Sequence, residues 1–392
     1  MLTSTFPRWK GDHEPPFVFE LSRRLAAEFD IHVLAPHAPG AQTQEVLDGM
    51  TIHRFRYCLE RWEVLAYQGG IMANLKRGRR YYLLVPFFLA FQVLALLGRL
   101  RRERYDAIHA HWLIPQGLAA LAARRLAVRK FPPFLCTSHG TDLLGLPGAL
   151  FTFLKQQVLR RANAITVVSQ AMKDHVQQMQ ATASHAVVVP MGIDASGMFT
   201  PPQAADANRS GLLFVGRLVQ SKGVDRLIAA MPAILAQQAQ AILTIAGDGP
   251  ELSRLQSMAA ALQLGDRVRF LGAVPNPELP QLYRRAAVFV SPSLSEGFGL
   301  TLAEALACEC AVVASDLPAV REIVRDGETG MLVPAGDTAK MADAVLALLA
   351  APAQRQKLGR AGRDSVCRRF DWQVTAAEYA SLLHRLTSVP LA

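Results

Sequence analysis

Short apolar runs alternate with longer, half-apolar stretches along the whole chain. In the first half, IHVLAP (31–36), AIHAHW (107–112), FLCTSH (134–139), AITVVS (164–169) and AVVVP (186–190) read as strands. They are nearly continuous in apolar character and rich in Val and Ile, as strands covered on both faces are. Helix-like segments fall between them at Phe17–Phe29, Leu118–Leu126 and Leu150–Ala162. The alternation predicts a doubly wound parallel sheet. Ahead of TSTFP only Met1, Leu2 and Thr3 are available for a first strand. An ordinary strand has about five or six residues, so the expectation is a stunted strand or a natural start upstream.

The pattern breaks at MGIDASGMFTPPQAADANRSG (191–211), which is rich in Pro, Gly, Ala and Asp and has no apolar period. It reads as a linker. A second series follows: LLFVGR (212–217), AILTIAG (241–247), VRFLG (268–272), AAVFVSPS (286–293), AVVAS (311–315) and GMLVP (330–334). The predicted architecture is therefore α/β, with two doubly wound Rossmann-like domains facing across a cleft. The first covers 1–190, and the second, 212–370, binds the donor. Strand C-terminal ends are expected to face the cleft. A last helical pattern at 371–387 is expected to pack back on the first domain.

Composition narrows this picture. The 392 residues are 51% hydrophobic, enough for sizeable cores in two domains. Five cysteines (58, 136, 308, 310 and 367) are odd in number and sparse. They argue against a disulfide framework and suit a reducing compartment. Cys308 and Cys310 read as small residues of a packed helix rather than metal ligands. The start of the chain shows no basic-then-apolar leader. The expected location is the cytoplasm, or the inner face of the plasma membrane as a peripheral protein. The net charge of +10 lies wholly in the first half: residues 1–192 carry 23 Lys and Arg against 13 Asp and Glu, and 193–392 carry 19 against 19.

Candidate chemistry concentrates in SPSLSEGFGLTLAEALA (291–307). A strand, a glycine-flanked loop and an apolar helix place free N–H groups at a sheet's C-terminal edge. Gly297 and Gly299 allow close approach of a ligand. The amides of Gly299, Leu300 and Thr301 suit a phosphate. Glu304, about one turn up the helix, suits the two hydroxyls of a ribose. Glu296, on the loop side, faces whatever group lies beyond the phosphates. That order describes a sugar nucleotide. The alternative is a helix start decorated with acids.

FVGRLVQSKGVDRLI (214–228) adds Arg217 at a strand end and Lys222 at a helix start, where the dipole disfavours cations. A diphosphate accounts for both, and they would neutralise a departing phosphate. The alternative is a solvated loop. CTSHGTD (136–142) puts His139 and Asp142 at a strand end of the first domain. A neutral imidazole there suits the transferred sugar and a charged one suits the phosphate; the alternative is a local cap. In HAHW (109–112) no Cys or carboxylate stands at ligand spacing, so no metal is expected. RWKGDHEPPF (8–17) reads as a loop in which the Gly11 backbone meets phosphate or acceptor, and Asp142 is assigned to the same acceptor or phosphate role.

The linked set GRLVQSKG, AGDGPE, LGAVPNPELPQLYRRA, SLSEGFGLTLAEALA and VREIVRDGETGMLVPAGD resembles the retaining glycosyltransferases of GT-B fold known as family 4. TSTFPRW, IHAHW and HGTD match in the first domain. The resemblance implies that Arg217 and Lys222 bind the donor diphosphate, Glu296 contacts the donor sugar and Glu304 holds the ribose. It implies main-chain contacts around Phe298 to Thr301, a base bordered by Val274, and His139 near the transferred sugar. It implies metal-independent transfer with retention, without a cofactor. Many members carry a Gly-Gly pair in the first loop; here Gly11 stands without a neighbouring glycine.

Residues 76–104 hold a greasy run, YYLLVPFFLAFQVLALLG, between clusters of basic residues. It reads either as a helix buried against the first sheet or as a surface for an anionic membrane. Nucleic acid is not expected, for want of a recognition motif. The expected function is transfer of a sugar from a UDP-, GDP- or ADP-linked donor to a saccharide or polyprenyl-linked saccharide acceptor, in polysaccharide or glycoconjugate synthesis. The rivals are a silent sugar-nucleotide binding protein and a hydrolase or epimerase on the same scaffold.

Overall fold

The computed structural model describes residues 1–12, 17–67, 69–179, 186–202 and 209–388. Parts of two expected segments, 13–16 of the first loop and 203–208 of the linker, lie outside the described residues, as does the side chain of Lys76. The chain divides into two compact units, Met1–Gly192 with Thr375–Ala392, and Ile193–Val374.

In the first unit the strands are β1 (His32–Pro36), β2 (Gln44–Leu47), β3 (Met50–Phe55), β4 (Ile108–His111), β5 (Phe134–Ser138), β6 (Ala164–Val167) and β7 (Ala186–Val188). β1 pairs with β3, and β4 to β7 pair in sequence, all in parallel. Leu2 joins the two sets by parallel bridges to Leu34 on β1 and Ala110 on β4. Leu34 N donates to Met1 O and His111 N donates to Leu2 O. Residues 1–3 thus sit at the centre of the sheet. Counted from them, and leaving the hairpin strand β2 aside, the order is the 3-2-1-4-5-6 of a doubly wound fold, extended by β7. Asp48 and Gly49 turn the β2–β3 hairpin with φ of 47° and 80°, the left-handed pair that a two-residue hairpin loop requires.

The second unit holds β8 (Ser210–Val215), β9 (Leu243–Ala246), β10 (Val268–Gly272), β11 (Ala286–Ser291), β12 (Ala311–Ser315) and β13 (Met331–Val333). Their spatial order is β10-β9-β8-β11-β12-β13, all parallel, which is again 3-2-1-4-5-6. Leu212, Phe214, Leu243, Ile245, Val288 and Val290 are fully buried between the sheet and its helices, which is why these strands read as unbroken apolar runs.

The linker expectation needs correction for its described part. Residues 193–202 belong to the second unit. Phe199 is buried edge-on to Tyr283, and Arg363 donates to the carbonyls of Ala195 and Phe199. A Pro- and Gly-rich composition marks the absence of a helix or strand period, not the absence of packing. Ile193 pairs with the chain at 370–372. The final helix, Trp372–Ser388, passes into the first unit from Thr375 onward. There the Tyr379 hydroxyl lies 3.4 Å from the hydroxyls of Thr137 and Thr166.

The greasy run forms a helix, Arg80–Arg102. Phe88, Gln92, Leu96 and Leu97 face inward, with the Phe88 ring edge-on to Phe55 and Tyr57. The opposite face, from Tyr82 to Leu94, is exposed. The expectation of a helix buried in the unit holds for one side of it and fails for the other.

Candidate functional site

The second unit's switch point lies between β8 and β11, where chain connections leave in opposite directions and open the sheet's C-terminal edge. β8 runs into Gly216–Arg217 and a short turn at Gln220–Lys222. β11 runs into the loop 292–299. Leu294 N donates to Ser221 O at 2.8 Å and locks the two loops together.

Gly223 ends the turn at φ 63° and opens the helix Val224–Gln237. A Cβ at this position would stand 2.2 Å from Pro292 O. Glycine is therefore required by both backbone shape and space.

Lys222 Nζ donates to Glu296 Oε1 at 2.5 Å, and Ser293 Oγ donates to the same oxygen at 2.8 Å. The Glu296 side chain is nearly enclosed, while that of Lys222 is partly open. Two residues 74 positions apart thus form one charged centre at the sheet edge. Arg217 stands beside it on the same loop, exposed and with no hydrogen bond or ion pair described for its side chain.

The helix Leu300–Ala307 starts from Gly299 at φ 110°. Its first backbone bond runs from Leu302 N to Gly299 O. The amides of Gly299, Leu300 and Thr301 precede that bond, which leaves them for a ligand. Phe298 lends backbone to this cradle, but its ring is buried edge-on to Phe370, 5.3 Å between centroids. Glu304 accepts from the Tyr283 hydroxyl at 2.8 Å. Burial pushes its carboxyl up to about 7, against the opposing pull of that hydrogen bond. Val274 follows β10 on the neighbouring edge and is half-buried.

In the first unit, the switch point lies between Met1–Thr3 and β4. β4 ends at His111, and Trp112 takes φ 76°. For a bulky side chain this is a strained conformation of the kind that gathers at functional sites. The Trp112 ring lies 5.2 Å from the imidazole of His139, which packs 4.7 Å from Phe17. His111 Nδ1 and His139 Nε2 are 3.1 Å apart. Burial brings the His139 imidazole down to about 3, which favours its neutral form. His111 is likewise held neutral by burial. In a pair of neutral rings one nitrogen donates and the other accepts. His111 Nε2 and His139 Nδ1 are both buried without a described partner.

Asp142, assigned with Gly11 to an acceptor or phosphate loop, turns its side chain inward. It is buried, and its oxygens accept from Leu113 N, Ser138 Oγ and His139 N. A short acid at the start of a helix is there to bind orphan amides, so Asp142 sets the His139 loop. Gly11 lies in an exposed turn at φ 83°, closed by Arg8 and Asp12, whose side chains pair at 2.7 Å. Among the described residues, no group of three or more His, Cys, Asp or Glu side chains gathers as a metal site would. Ser293, Tyr283 and His111 complete the two sites without having been singled out as partners. Ser293 stood in the loop motif, whereas Tyr283, 21 residues before Glu304, had no local signal.

Two family models match the chain: "Glycosyltransferase Family 4" over residues 16–196 and "Glycosyl transferases group 1" over 200–365. A phosphatidyl-myo-inositol mannosyltransferase from Mycobacterium leprae is 36% identical over 280 residues, covering 70% of this chain and 72% of the relative. A glycogen synthase from Mycobacterium tuberculosis is 33% identical over 298 residues, covering 73% and 70%. Among solved structures, a sucrose-phosphate synthase from Thermosynechococcus elongatus superposes with a TM-score of 0.78 at 25% identity, covering 94% of this chain and 92% of that one. HepE of Anabaena, solved with UDP and glucose, gives 0.73 at 18% identity and covers 98% of both chains.

Proposed function

The chain belongs to glycosyltransferase family 4, a GT-B glycosyltransferase that takes a sugar from a nucleotide-sugar donor, and from that premise we propose a retaining, metal-independent transfer to a saccharide or lipid-linked saccharide. The observation that carries the reading is the Lys222–Glu296 pair at the switch point, on the same edge as the exposed Arg217 and the amides of residues 299–301 that precede the helix's first backbone bond.

The donor diphosphate lies over those amides, with Arg217 and Lys222 on its oxygens. The ribose reaches Glu304 and the base passes Val274. Glu296, fixed by Lys222 and Ser293, orients the sugar. As the bond from the anomeric carbon to phosphate breaks, negative charge grows on the diphosphate, where the two cations stabilise it most. The acceptor hydroxyl forms its bond on the face the phosphate leaves, and its proton passes to the departing phosphate oxygen. Configuration is thereby kept, and the cations supply the neutralisation that a metal ion provides elsewhere. His139, uncharged, is assigned a hydrogen bond to the transferred sugar. A lipid-linked acceptor draws support from the relative named for phosphatidyl-myo-inositol.

The test uses Glu296→Ala and Arg217→Ala/Lys222→Ala. Glu296→Ala is expected to abolish turnover while keeping affinity for the nucleoside diphosphate within a few-fold. The double variant is expected to weaken that affinity at least about a hundredfold, since charge-assisted bonds contribute roughly 1.5–3 kcal/mol each. A thermal-shift panel of UDP, GDP, ADP and their sugars identifies the donor. An inverted product by NMR, or unchanged nucleotide affinity in the double variant, would overturn the reading.

A further inference from the structure

The outer face of the helix Arg80–Arg102 takes no part in the chemistry above, and its composition is unusual for a surface. Leu83 is 72% exposed, Phe87 55% and Leu94 59%, and Phe91 and Tyr82 are exposed beside them. No charged residue interrupts this face from Tyr82 to Leu94, a length of about 18 Å. The short turn Glu60–Trp62 continues it with Leu59 and Trp62, the latter 52% exposed. Between turn and helix runs a groove of ≈ 970 Å³ with Trp62, Leu83, Phe87 and Phe91 in its walls and Arg56, Arg61 and Arg80 among its lining. Contiguous exposed apolar area on this scale marks an interaction surface.

The charge around the face indicates the occupant. Exposed Arg77, Arg79 and Arg80 stand at one end, and Arg101, Arg102 and Arg104 at the other. Of the neighbouring acids, Glu63 is buried against His37, Glu103 pairs with Arg99, Glu60 is exposed 3.5 Å from Arg56, and Asp106 is exposed beside Arg104, a single acid against the three arginines of that end. The whole net charge of the chain lies on this unit: 375–392 adds only Glu378 against Arg385, and 193–374 sums to zero. A greasy strip bounded by cations, with Trp and Tyr at its margin, matches the boundary between acyl chains and anionic headgroups. The helix is long and apolar enough to cross a membrane by composition. Its inner face, however, is packed through Phe88 onto Phe55 and Tyr57. Lipid therefore meets one side of it, and the helix lies in the interface rather than spanning.

We propose that this face docks the first unit onto an anionic lipid bilayer, with Leu83, Phe87, Phe91 and Leu94 entering the acyl boundary and the flanking arginines contacting lipid phosphates. The proposal is independent of the acceptor's identity.

The test is co-sedimentation of the full chain with vesicles of phosphatidylcholine, alone or mixed with phosphatidylglycerol. Wild type is expected to bind the mixed vesicles, to bind the neutral ones far more weakly, and to be released by salt. Leu83→Glu/Phe87→Glu/Phe91→Glu is expected to remove binding, with melting temperature and nucleoside-diphosphate affinity unchanged, because these side chains already face solvent. Arg77→Gln/Arg79→Gln/Arg80→Gln is expected to lower partition onto mixed vesicles about a hundredfold, the effect of three surface cations. The proposal is overturned if wild type ignores mixed vesicles, or if the triple Glu variant binds as wild type does. It is equally overturned if wild type is a dimer that the Glu variant dissolves while neither binds vesicles, which would assign the face to a second copy.

Discussion

Glu304 sits where its carboxyl is drawn toward neutrality. Burial pushes it up to about 7 and the Tyr283 hydroxyl restrains the rise. A carboxylate accepts two hydroxyls, whereas a protonated acid must give up one acceptor position. Nucleotide affinity is therefore expected to rise as pH increases from about 6 to about 8 and to level off above, by linkage. The same raised value means that the folded chain holds this proton more tightly than the unfolded one. Its contribution to stability thus falls as pH rises from the ordinary carboxyl range through about 7. Calorimetric titration of nucleoside diphosphate across this range is the measurement. Glu304→Gln is expected to flatten the profile, and Tyr283→Phe to move its midpoint upward by removing a bond to the ionised form. At this scale Arg217, Lys222, Glu296 and Glu304 were legible because each belongs to a short motif with a local reason for its residue type. Asp142 was legible as a residue at a strand end, but its inward direction was not.

Among the elements, the turn from β8 to its helix decides the geometry of the donor edge. Gly223→Ala places a methyl group 2.2 Å from Pro292 O in a left-handed conformation. Relief requires the 292–299 loop to move, and that loop carries both Glu296 and the amide cradle. The expected cost is at least about 2 kcal/mol in chemical denaturation. Weakened nucleotide binding is expected to accompany it, although no ligand contact is removed. Strands of this unit follow their sequence patterns within a residue or two, as buried parallel strands should. The β2–β3 hairpin does not belong to that pattern, because it is an antiparallel excursion at the sheet edge; its signal was the Asp48–Gly49 turn. The helix Arg80–Arg102 is apolar nearly all round. Its sequence therefore specified a helix without specifying which side packs.

For the molecule as a whole, each unit completes a sheet of order 3-2-1-4-5-6, and the first does so with borrowed pieces. Its central strand is Met1–Thr3, and its cover includes the last helix. Tyr379 is buried there, with its ring 5.3 Å from His109 and its hydroxyl near Thr137 and Thr166. Tyr379→Ala is expected to destabilise the first unit by about 3 kcal/mol, as loss of a buried aromatic ring does. Hydrogen exchange locates the effect: amides of β4–β6 should lose protection while those of β8–β13 keep theirs. Equal loss in both units would show that the two sheets unfold together.

The sequence by itself determined the two α/β units, the strand–turn–helix cradle and the charged residues proposed to hold the donor. All of these rest on interactions within a few residues: alternation, capping and the free amides of a helix start. Tertiary structure alone decided that Lys222 meets Glu296 across 74 positions, that His111 touches His139 and Tyr283 touches Glu304, and that three residues at the chain's start form a central strand. It also decided which face of an all-round apolar helix stays in the open. Contacts between residues distant in sequence depend on how sheets stack side chains in space, and no local pattern records that.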